Sequence, residues 1–136
     1  SYGIATRIFE ALDSLAHLSE PRVKDFMNRK VVSCDVGDRV DAVVKKMKKG
    51  GISQLPVLDG KELVGLISEG VLIENMDRLS KVTDVGEIMR DAPPVVSEET
   101  SYKTTVSLLK EFSFVLVKGK KGFVGLVTKA DVLGAR

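Results

Sequence analysis

The pattern of hydrophobic and polar positions predicts two amphipathic helices, one in each half of the chain. In the first half, apolar residues recur at the spacing i, i+3, i+4 and i+7, which is the period of one helix face. These residues are Val40, Val43, Val44 and Met47. In the second half, the apolar stripe consists of Tyr102, Val106, Leu109 and Phe112. Asp38 and Ser101 precede the two stripes, and both residue types favour the N-cap of a helix.

Each of these helices is followed by two apolar runs that predict a β-hairpin. The runs QLPVL and ELVGLIS flank Asp59-Gly60, a strong signal for a tight turn. The runs FVLV and FVGLVT flank the turn sequence KGKKG in the second half. We expect a further helix directly after Ser68 and another after Thr128, and a short strand, VVS, ahead of each amphipathic helix.

These elements form an internal repeat with the order β-α-β-β-α. The matching segments are VGLIS at 64–68 with VGLVT at 124–128, VKDFM at 23–27 with VGEIM at 85–89, and VVS at 31–33 with VVS at 95–97. One copy is too small to bury both its helix and its sheet faces, so the copies should pack together as a pseudo-two-fold pair. The sequence therefore predicts an α/β (α+β) fold, with repeats at residues 21–82 and 83–136.

Residues 1–20 lie outside the repeat and predict an N-terminal amphipathic helix. Apolar residues recur there every three or four positions, at Ile4, Ile8, Leu12, Leu15 and Leu18. Pro21 marks the end of this helix. Since its apolar stripe would otherwise be exposed, we expect the helix to pack on the repeats or on a second subunit.

Composition narrows the class of protein. The chain of 136 residues is 43% hydrophobic and 29% charged, which is normal for a soluble globular protein. It has no apolar run near the roughly 20 residues that span a membrane, and SYGIATRIFEAL has neither the apolar core nor the cleavage site of a signal peptide. Cys34 is the only cysteine and His17 the only histidine, too few for a zinc site. We therefore expect a cytoplasmic protein with no metal and no membrane partner.

The sequence offers little support for catalysis or for nucleic-acid binding. It contains no nucleophile elbow, no P-loop and no dinucleotide-binding glycine motif, so we expect no catalytic residue and no enzymatic activity. The net charge is +2, and the lysines of KKMKKG and KGKKG are expected to lie on a solvated helix face and a solvated hairpin tip.

The segment GLVTKADVL is the strongest candidate for chemistry. Thr128 and Asp131 fit a capping box, which would stabilise the following helix by about 1 kcal/mol. The alternative is a nucleotide site, because a helix start with a hydroxyl attracts phosphate and Lys129 adds a positive charge. A carboxylate at Asp131 could also accept hydrogen bonds from both hydroxyls of a ribose. The residues alone leave both interpretations open.

The tandem copies resemble a pair of CBS domains, also called a Bateman module. The segments that carry the resemblance are VKDFM…VVS, GGISQLPVLDGKELVGLIS, VGEIM and FVLVKGKKGFVGLVTKADVL, and it covers residues 21–136. The resemblance implies an α/β disc that dimerises through its CBS pairs. It also implies inter-repeat clefts that bind AMP, ADP, ATP or S-adenosylmethionine, require no further cofactor, and regulate an attached effector.

The resemblance also implies which residues would bind the ligand. One cleft would combine Thr128, Lys129 and Asp131 with Val32, Ser33, Ile52, Ser53 and Gln54. The mirror-image cleft would combine Ser68 with Val95 and Val96. There the sequence departs from the family pattern, because Val71 stands where a ribose-binding carboxylate is expected and Leu116 stands where the first copy has Pro56. We predict one competent cleft and one that is weak or empty.

The N-terminal segment adds a second resemblance and leaves the effector open. SYGIATRIFEALDSL is similar to the last helix of the helix-turn-helix domain that precedes CBS pairs in a group of archaeal transcription regulators. This implies that the chain is the sensor half of such a regulator. The competing hypotheses are a structural dimerisation module without a ligand and, in third place, direct nucleic-acid binding through the lysine clusters.

Overall fold

The computed structural model describes Gly3 and residues 7–8, 20–80 and 84–134. In these residues the first repeat contains α1 (Val23–Phe26), β1 (Cys34–Asp35), α2 (Val40–Gly50), β2 (Gln54–Asp59), β3 (Glu62–Ser68) and α3 (Glu69–Glu74). The second contains β4 (Val95–Ser97), α4 (Tyr102–Leu109), β5 (Phe114–Gly119), β6 (Gly122–Thr128) and α5 (Lys129–Gly134). Two short 3₁₀ helices follow α3: Met76–Arg78 lies at the end of the first repeat, and Val85–Glu87 lies at the start of the second. The predicted mixed α/β fold with two repeats is confirmed.

Each repeat forms its own three-stranded sheet with the same topology. The first has the order β1-β2-β3 and the second the order β4-β5-β6, each with one parallel and one antiparallel pairing. Both predicted hairpins are confirmed, and two-residue loops join their strands. Gly60 in the first loop has a φ of 63°, a conformation that glycine adopts without steric cost.

The strand pairing corrects the alignment of the two VVS segments. Cys34 pairs with Val57, and Val96 pairs with Val117, so Cys34 is the structural equivalent of Val96. The predicted strand at residues 31–33 is therefore wrong by about two residues, whereas β4 does contain VVS. A slip of two residues leaves every side chain on the same face of a sheet, so the hydrophobic pattern cannot detect it.

The amphipathic helices agree with the predicted stripes, with two exceptions at their ends. Val40, Val43, Met47 and Leu109 are buried, and Ser101 caps α4 by accepting a hydrogen bond from the backbone N–H of Thr104 at 3.1 Å. The Asp38 cap is wrong, because Arg39 holds the N-cap position and the Asp38 carboxylate accepts from the backbone N–H of Asp35. Phe112 lies beyond the end of α4 and is exposed, so it is not part of the stripe.

The two repeats exchange their first segments, so that each segment packs in the hydrophobic core of the other repeat. Val85 and Ile88, from the start of the second repeat, pack in the core of the first sheet. Val23 and Met27, from the start of the first repeat, pack in the core of the second. The two repeats, with predicted bounds at 21–82 and 83–136, therefore each contribute to both cores.

Paired backbone hydrogen bonds hold each exchanged segment to the sheet of the other repeat. Asn28 exchanges two with Leu126 at 2.8 and 2.9 Å, and Arg90 exchanges two with Leu66 at 2.9 and 3.0 Å. A Cβ atom on Gly125 would lie 2.5 Å from the sulfur of Met27, and one on Gly65 would lie 2.6 Å from the sulfur of Met89. The glycine of VGLIS and VGLVT thus makes room for the segment that crosses over it.

The predicted N-terminal helix falls mostly outside the described residues. Ile4, Leu12, Leu15 and Leu18 are not among them, whereas Arg7 and Ile8 are helical and Ile8 is exposed. Among the helices that the structure describes, none has the length and apolar character needed to cross a membrane.

Candidate functional site

A cleft of about 290 Å³ lies between the two repeats. The crossing segment contributes Asn28, Lys30 and Val32, and the stretch from α2 into β2 contributes Gly50, Gly51, Ile52, Ser53 and Gln54. The second sheet contributes Phe114, Leu126 and Thr128. We call this cavity the first cleft. Both repeats are needed to build it, since residues of the first sheet and of the second sheet line it together.

Five of the eight residues predicted for this site line the first cleft. They are Val32, Ile52, Ser53, Gln54 and Thr128. Ser33, Lys129 and Asp131 are not among the lining residues. The structure thus brings together residues that are far apart in the chain, while their role in ligand binding stays a prediction.

Asp131 is engaged with the start of its own helix. Its Oδ2 atom accepts hydrogen bonds from the backbone N–H of Thr128 at 2.9 Å and from the Thr128 hydroxyl at 3.1 Å. This is the acidic half of a capping box. Asp131 thus contacts Thr128, which lines the first cleft, whereas Asp131 itself lines a separate recess with Pro21 and Phe26. Lys129, the first residue of α5, is exposed.

Ser33 lies on the other side of the crossing segment from Val32. Alternate side chains of an extended chain point in opposite directions. Val32 accordingly lines the first cleft, whereas Val31 and Ser33 line a separate recess between the two hairpins, together with Lys61 and Lys121. The ammonium group of Lys46 donates a hydrogen bond to the carbonyl oxygen of Ser33 at 2.5 Å and fixes the chain at this point.

The charge of the first cleft favours an anionic ligand. Lys30 is exposed at its edge, and the described residues that line the cleft include no acidic side chain. Asn28 holds the backbone of Lys30, because its Oδ1 atom accepts from the Lys30 N–H at 2.9 Å. Gly51 closes α2 in the left-handed conformation, with a φ of 61°, and turns the chain toward the cleft wall at Ile52.

A hydrogen bond between side chains also joins the two repeats at the wall of the first cleft. The hydroxyl of Ser113 donates to Oε1 of Gln54 at 2.8 Å, between residues 59 positions apart. Gln54 begins β2 and Ser113 directly precedes β5, so the bond connects equivalent ends of the two sheets. Phe114, which follows Ser113, is almost fully buried and forms part of the same wall.

A second cleft, of about 370 Å³, occupies the pseudo-symmetric position and has a different lining. Its residues are Leu66, Met89, Arg90, Asp91, Ala92, Pro93, Phe112, Ser113 and Phe114. Phe112 and Phe114 stand where the first cleft has Ile52 and Gln54. Arg90 is the main cation, but its guanidinium forms an ion pair with Glu74 at 2.5 Å. This cleft therefore offers a more aromatic and more charge-balanced surface than the first.

The residues predicted for the mirror-image site are not among those that line this second cleft. Ser68 caps α3, where its hydroxyl accepts from the backbone N–H of Val71 at 3.1 Å. Val95 is exposed at the start of β4, and Val96 packs against the core of the second repeat. Val71 is only 5% exposed and belongs to the core of the first repeat.

Sequence reasoning missed six lining residues of the first cleft, namely Asn28, Lys30, Gly50, Gly51, Phe114 and Leu126. Lys30 follows Asn28 on the crossing segment, whose path depends on contacts with the other repeat. Leu126 could have been predicted, because it lies two residues before Thr128 on the same face of the expected strand. Phe114 could not be predicted by comparing the repeats, because its counterpart in the first repeat is the polar residue Gln54.

Cys34 belongs to the structural core rather than to a reactive site. It is 4% exposed, and its thiol lies 3.8 Å from the carbonyl oxygen of Pro56, to which it donates. Burial raises the pKa of the Cys34 thiol to about 11, and the nearby carboxylate of Asp38 adds to the rise. In the part of the chain that the structure describes, no group of three acidic, histidine or cysteine side chains could hold a metal ion.

Comparison with known proteins matches both repeats to one family. A family model for the CBS domain matches residues 23–78 and 85–136. The uncharacterized protein YlbB of Bacillus subtilis is 28% identical over 121 residues, which cover 82% of this chain and 79% of YlbB. Inosine-5'-monophosphate dehydrogenase of Korarchaeum cryptofilum is 28% identical over 116 residues, which cover 82% of this chain but only 23% of the enzyme. The chain likewise spans 42% of each of two further curated relatives.

Solved structures of similar proteins share the fold. The crystal structure of CBSX2 in complex with AMP has a TM-score of 0.72 and 26% sequence identity, and the match covers 84% of this chain and 94% of that chain. CBSX2 is a CBS-pair protein from Arabidopsis thaliana. This chain, with its paired repeats and the clefts between them, is therefore similar in fold to a protein that was crystallised with AMP.

Proposed function

Because this chain belongs to the CBS-domain family and carries two CBS domains in tandem, we propose that it is a sensor of an adenosine compound. The first cleft is the proposed binding site, and the ligand is AMP, ADP, ATP or S-adenosylmethionine. The observation that carries the proposal is the composition of this cleft. Residues from both repeats meet there around a cation with no acidic side chain in the described lining. The AMP complex of CBSX2 supports the same class of ligand.

The first cleft offers groups for the base and the phosphate of a nucleotide, and Asp131 behind Thr128 offers one for the ribose. Ile52 and Leu126 offer apolar surface for the base, and Gln54 offers an amide for hydrogen bonding to its edge. Lys30 supplies positive charge for a phosphate. Asp131 holds Thr128 through Oδ2 alone, so we infer that its Oδ1 is the atom that accepts from a ribose hydroxyl.

Calorimetric titration with each of the four ligands tests this proposal. We expect heat of binding with at least one of them, and we expect Asp131→Ala to weaken binding and to lower the melting temperature by loss of the cap. Ser101→Ala is the matched control, because it removes a helix cap of similar strength from α4. Absence of heat with all four ligands would refute the proposal. Equal affinity in wild type and Asp131→Ala would remove the ribose contact and leave only the cap.

The second candidate function is a structural dimerisation module without a ligand. Its supporting observation is a pair of exposed apolar side chains at equivalent positions of α3 and α5, namely Ile73 at 67% and Leu133 at 64% exposure. Such residues suit a homodimer of two CBS pairs. Sedimentation equilibrium of the wild type and of Ile73→Lys with Leu133→Lys tests it. A monomeric wild type would refute dimerisation, whereas dissociation of the double variant alone would support it.

The remaining expectations concern the effector and the setting of the protein. We propose a regulatory rather than an enzymatic role in the cytoplasm, with no direct binding of nucleic acid or membranes by these residues. The lysines of the two clusters are exposed, as predicted for solvated surfaces. A shift of labelled DNA at low salt would contradict the nucleic-acid part. The link to an archaeal helix-turn-helix regulator stays a prediction, since most of residues 1–15 lie outside the described structure.

A further inference from the structure

The hydrogen bond between Ser113 and Gln54 connects the two clefts. Gln54 lines the first cleft, whereas Ser113 lines the second. The bond is 2.8 Å long, and the Ser113 hydroxyl is the donor. Within the described part of the chain, the Gln54 side chain makes this hydrogen bond through the carbonyl oxygen of its amide.

We infer that Ser113 is a positioning residue for ligand binding in the first cleft, a role that rests on the proposed function. A glutamine amide has an acceptor end and a donor end, and either can face a ligand. Because Ser113 occupies Oε1, the amino group of Gln54 is the end left to donate. A free amino group selects an acceptor atom, and the ring nitrogens of an adenine base are such acceptors.

The inference accounts for a difference between the clefts that the repeat alone does not explain. Ser53 and Ser113 are equivalent, but the residue after Ser53 is Gln54 and the residue after Ser113 is Phe114. The second cleft therefore has no amide that a serine from the opposite repeat could orient. Only one of the two pseudo-symmetric positions combines a base-binding amide with a hydroxyl that fixes it.

Fixing the amide in advance also favours binding. A free glutamine side chain loses rotational freedom when it contacts a ligand, and this loss weakens the complex. Ser113 orders Gln54 before the ligand arrives. Since Ser113 is exposed and contacts the amide from the second repeat, its removal should leave the fold intact and change only the orientation of Gln54.

A double-mutant cycle on the full chain tests the inference. With AMP as the probe, we expect Ser113→Ala to weaken binding by about 3- to 10-fold, the effect of one hydrogen bond. In a Gln54→Ala background, Ser113→Ala should have no further effect, because the two residues act as a unit. Ser113→Thr keeps the hydroxyl and should retain most of the affinity. Ser107→Ala is the control, since that exposed hydroxyl bonds only within α4.

The side-chain amide resonances of Gln54 provide a readout that does not require a ligand. Ser113→Ala should shift the Gln54 amide protons in a ¹⁵N–¹H spectrum, whereas Ser107→Ala should leave them in place. Unchanged AMP affinity in Ser113→Ala, or an equal loss with and without Gln54, would overturn the inference while the proposed function stands. If the wild type binds none of the four adenosine compounds, the proposed function fails and this inference fails with it.

Discussion

The clearest test of the exchanged segments is the substitution Gly125→Ala. The new Cβ atom would lie 2.5 Å from the sulfur of Met27, 2.8 Å from its Cγ and 3.0 Å from the carbonyl oxygen of Asn28. Met27 is flexible and can move aside. The carbonyl of Asn28 cannot, because it accepts the backbone hydrogen bond of Leu126 at 2.9 Å. The substitution should therefore push the crossing segment away from β6.

The expected cost follows from these contacts. Overpacking of a buried site costs about 1–3 kcal/mol, and weakening one backbone hydrogen bond adds about 1 kcal/mol. We expect the free energy of unfolding to fall by about 2–4 kcal/mol, measured by urea titration. Gly65→Ala should behave in the same way, since its Cβ would lie 2.6 Å from the sulfur of Met89 and 2.9 Å from the carbonyl of Arg90.

Gly70→Ala is the matched control for both variants. Its Cβ would meet only the Ser68 hydroxyl at 3.6 Å, which is ordinary contact, so we expect a change of less than about 1 kcal/mol, in the stabilising direction. If Gly125→Ala unfolds at the same urea concentration as Gly70→Ala, the close approach of the crossing segment is wrong. If Gly125 and Gly65 differ strongly, the two crossings are not equivalent.

Three further predictions concern single side chains. Native Cys34 should resist alkylation at pH 8 and react once the chain is unfolded in urea. Because its folded pKa of about 11 exceeds the ordinary 9.0, the contribution of the buried thiol to stability should persist below pH 9 and be lost between pH 9 and 11, which urea titrations across that range would measure. Val71→Asp should lower the free energy of unfolding by more than about 2 kcal/mol, because it places an unpaired charge in the core, and calorimetry should detect no gain of ligand binding. Ser101→Ala should cost about 1 kcal/mol in urea unfolding, since the N–H of Thr104 loses its acceptor, and a change below about 0.3 kcal/mol would contradict the cap.

The parts of the fold that follow from local patterns could be predicted from the sequence. The hairpin at Asp59-Gly60 depends on neighbouring residues, and so does the cap at Ser101. The buried face of α2 follows from helical spacing, because one side of a helix in a small domain must face the core. In contrast, the Asp38 cap was wrong because an aspartate in a turn can accept from a loop N–H instead, and here it accepts from Asp35.

The parts that depend on contacts between the repeats could not be predicted in this way. Nothing near Lys30 in the chain indicates that it will reach the edge of a cleft, because its position is set by the pairing of Asn28 with a strand of the other repeat. Asp131 illustrates the limit for chemistry. The sequence left open a helix cap or a ribose ligand, and the structure shows the cap while the ribose contact stays a proposal.

The exchange of Val23–Met27 and Val85–Met89 between the cores has a consequence for cooperativity. We expect that neither half unfolds by itself. If one repeat unfolds, the core of the other loses the two buried side chains that the first repeat contributes, and one of its strands loses its backbone hydrogen-bond partners. We therefore expect the pair to unfold in a single all-or-none transition rather than in two overlapping ones. If the chain were cut between the repeats, each half would lack the residues that the other contributes to its core, so we expect the two repeats to be stable only together.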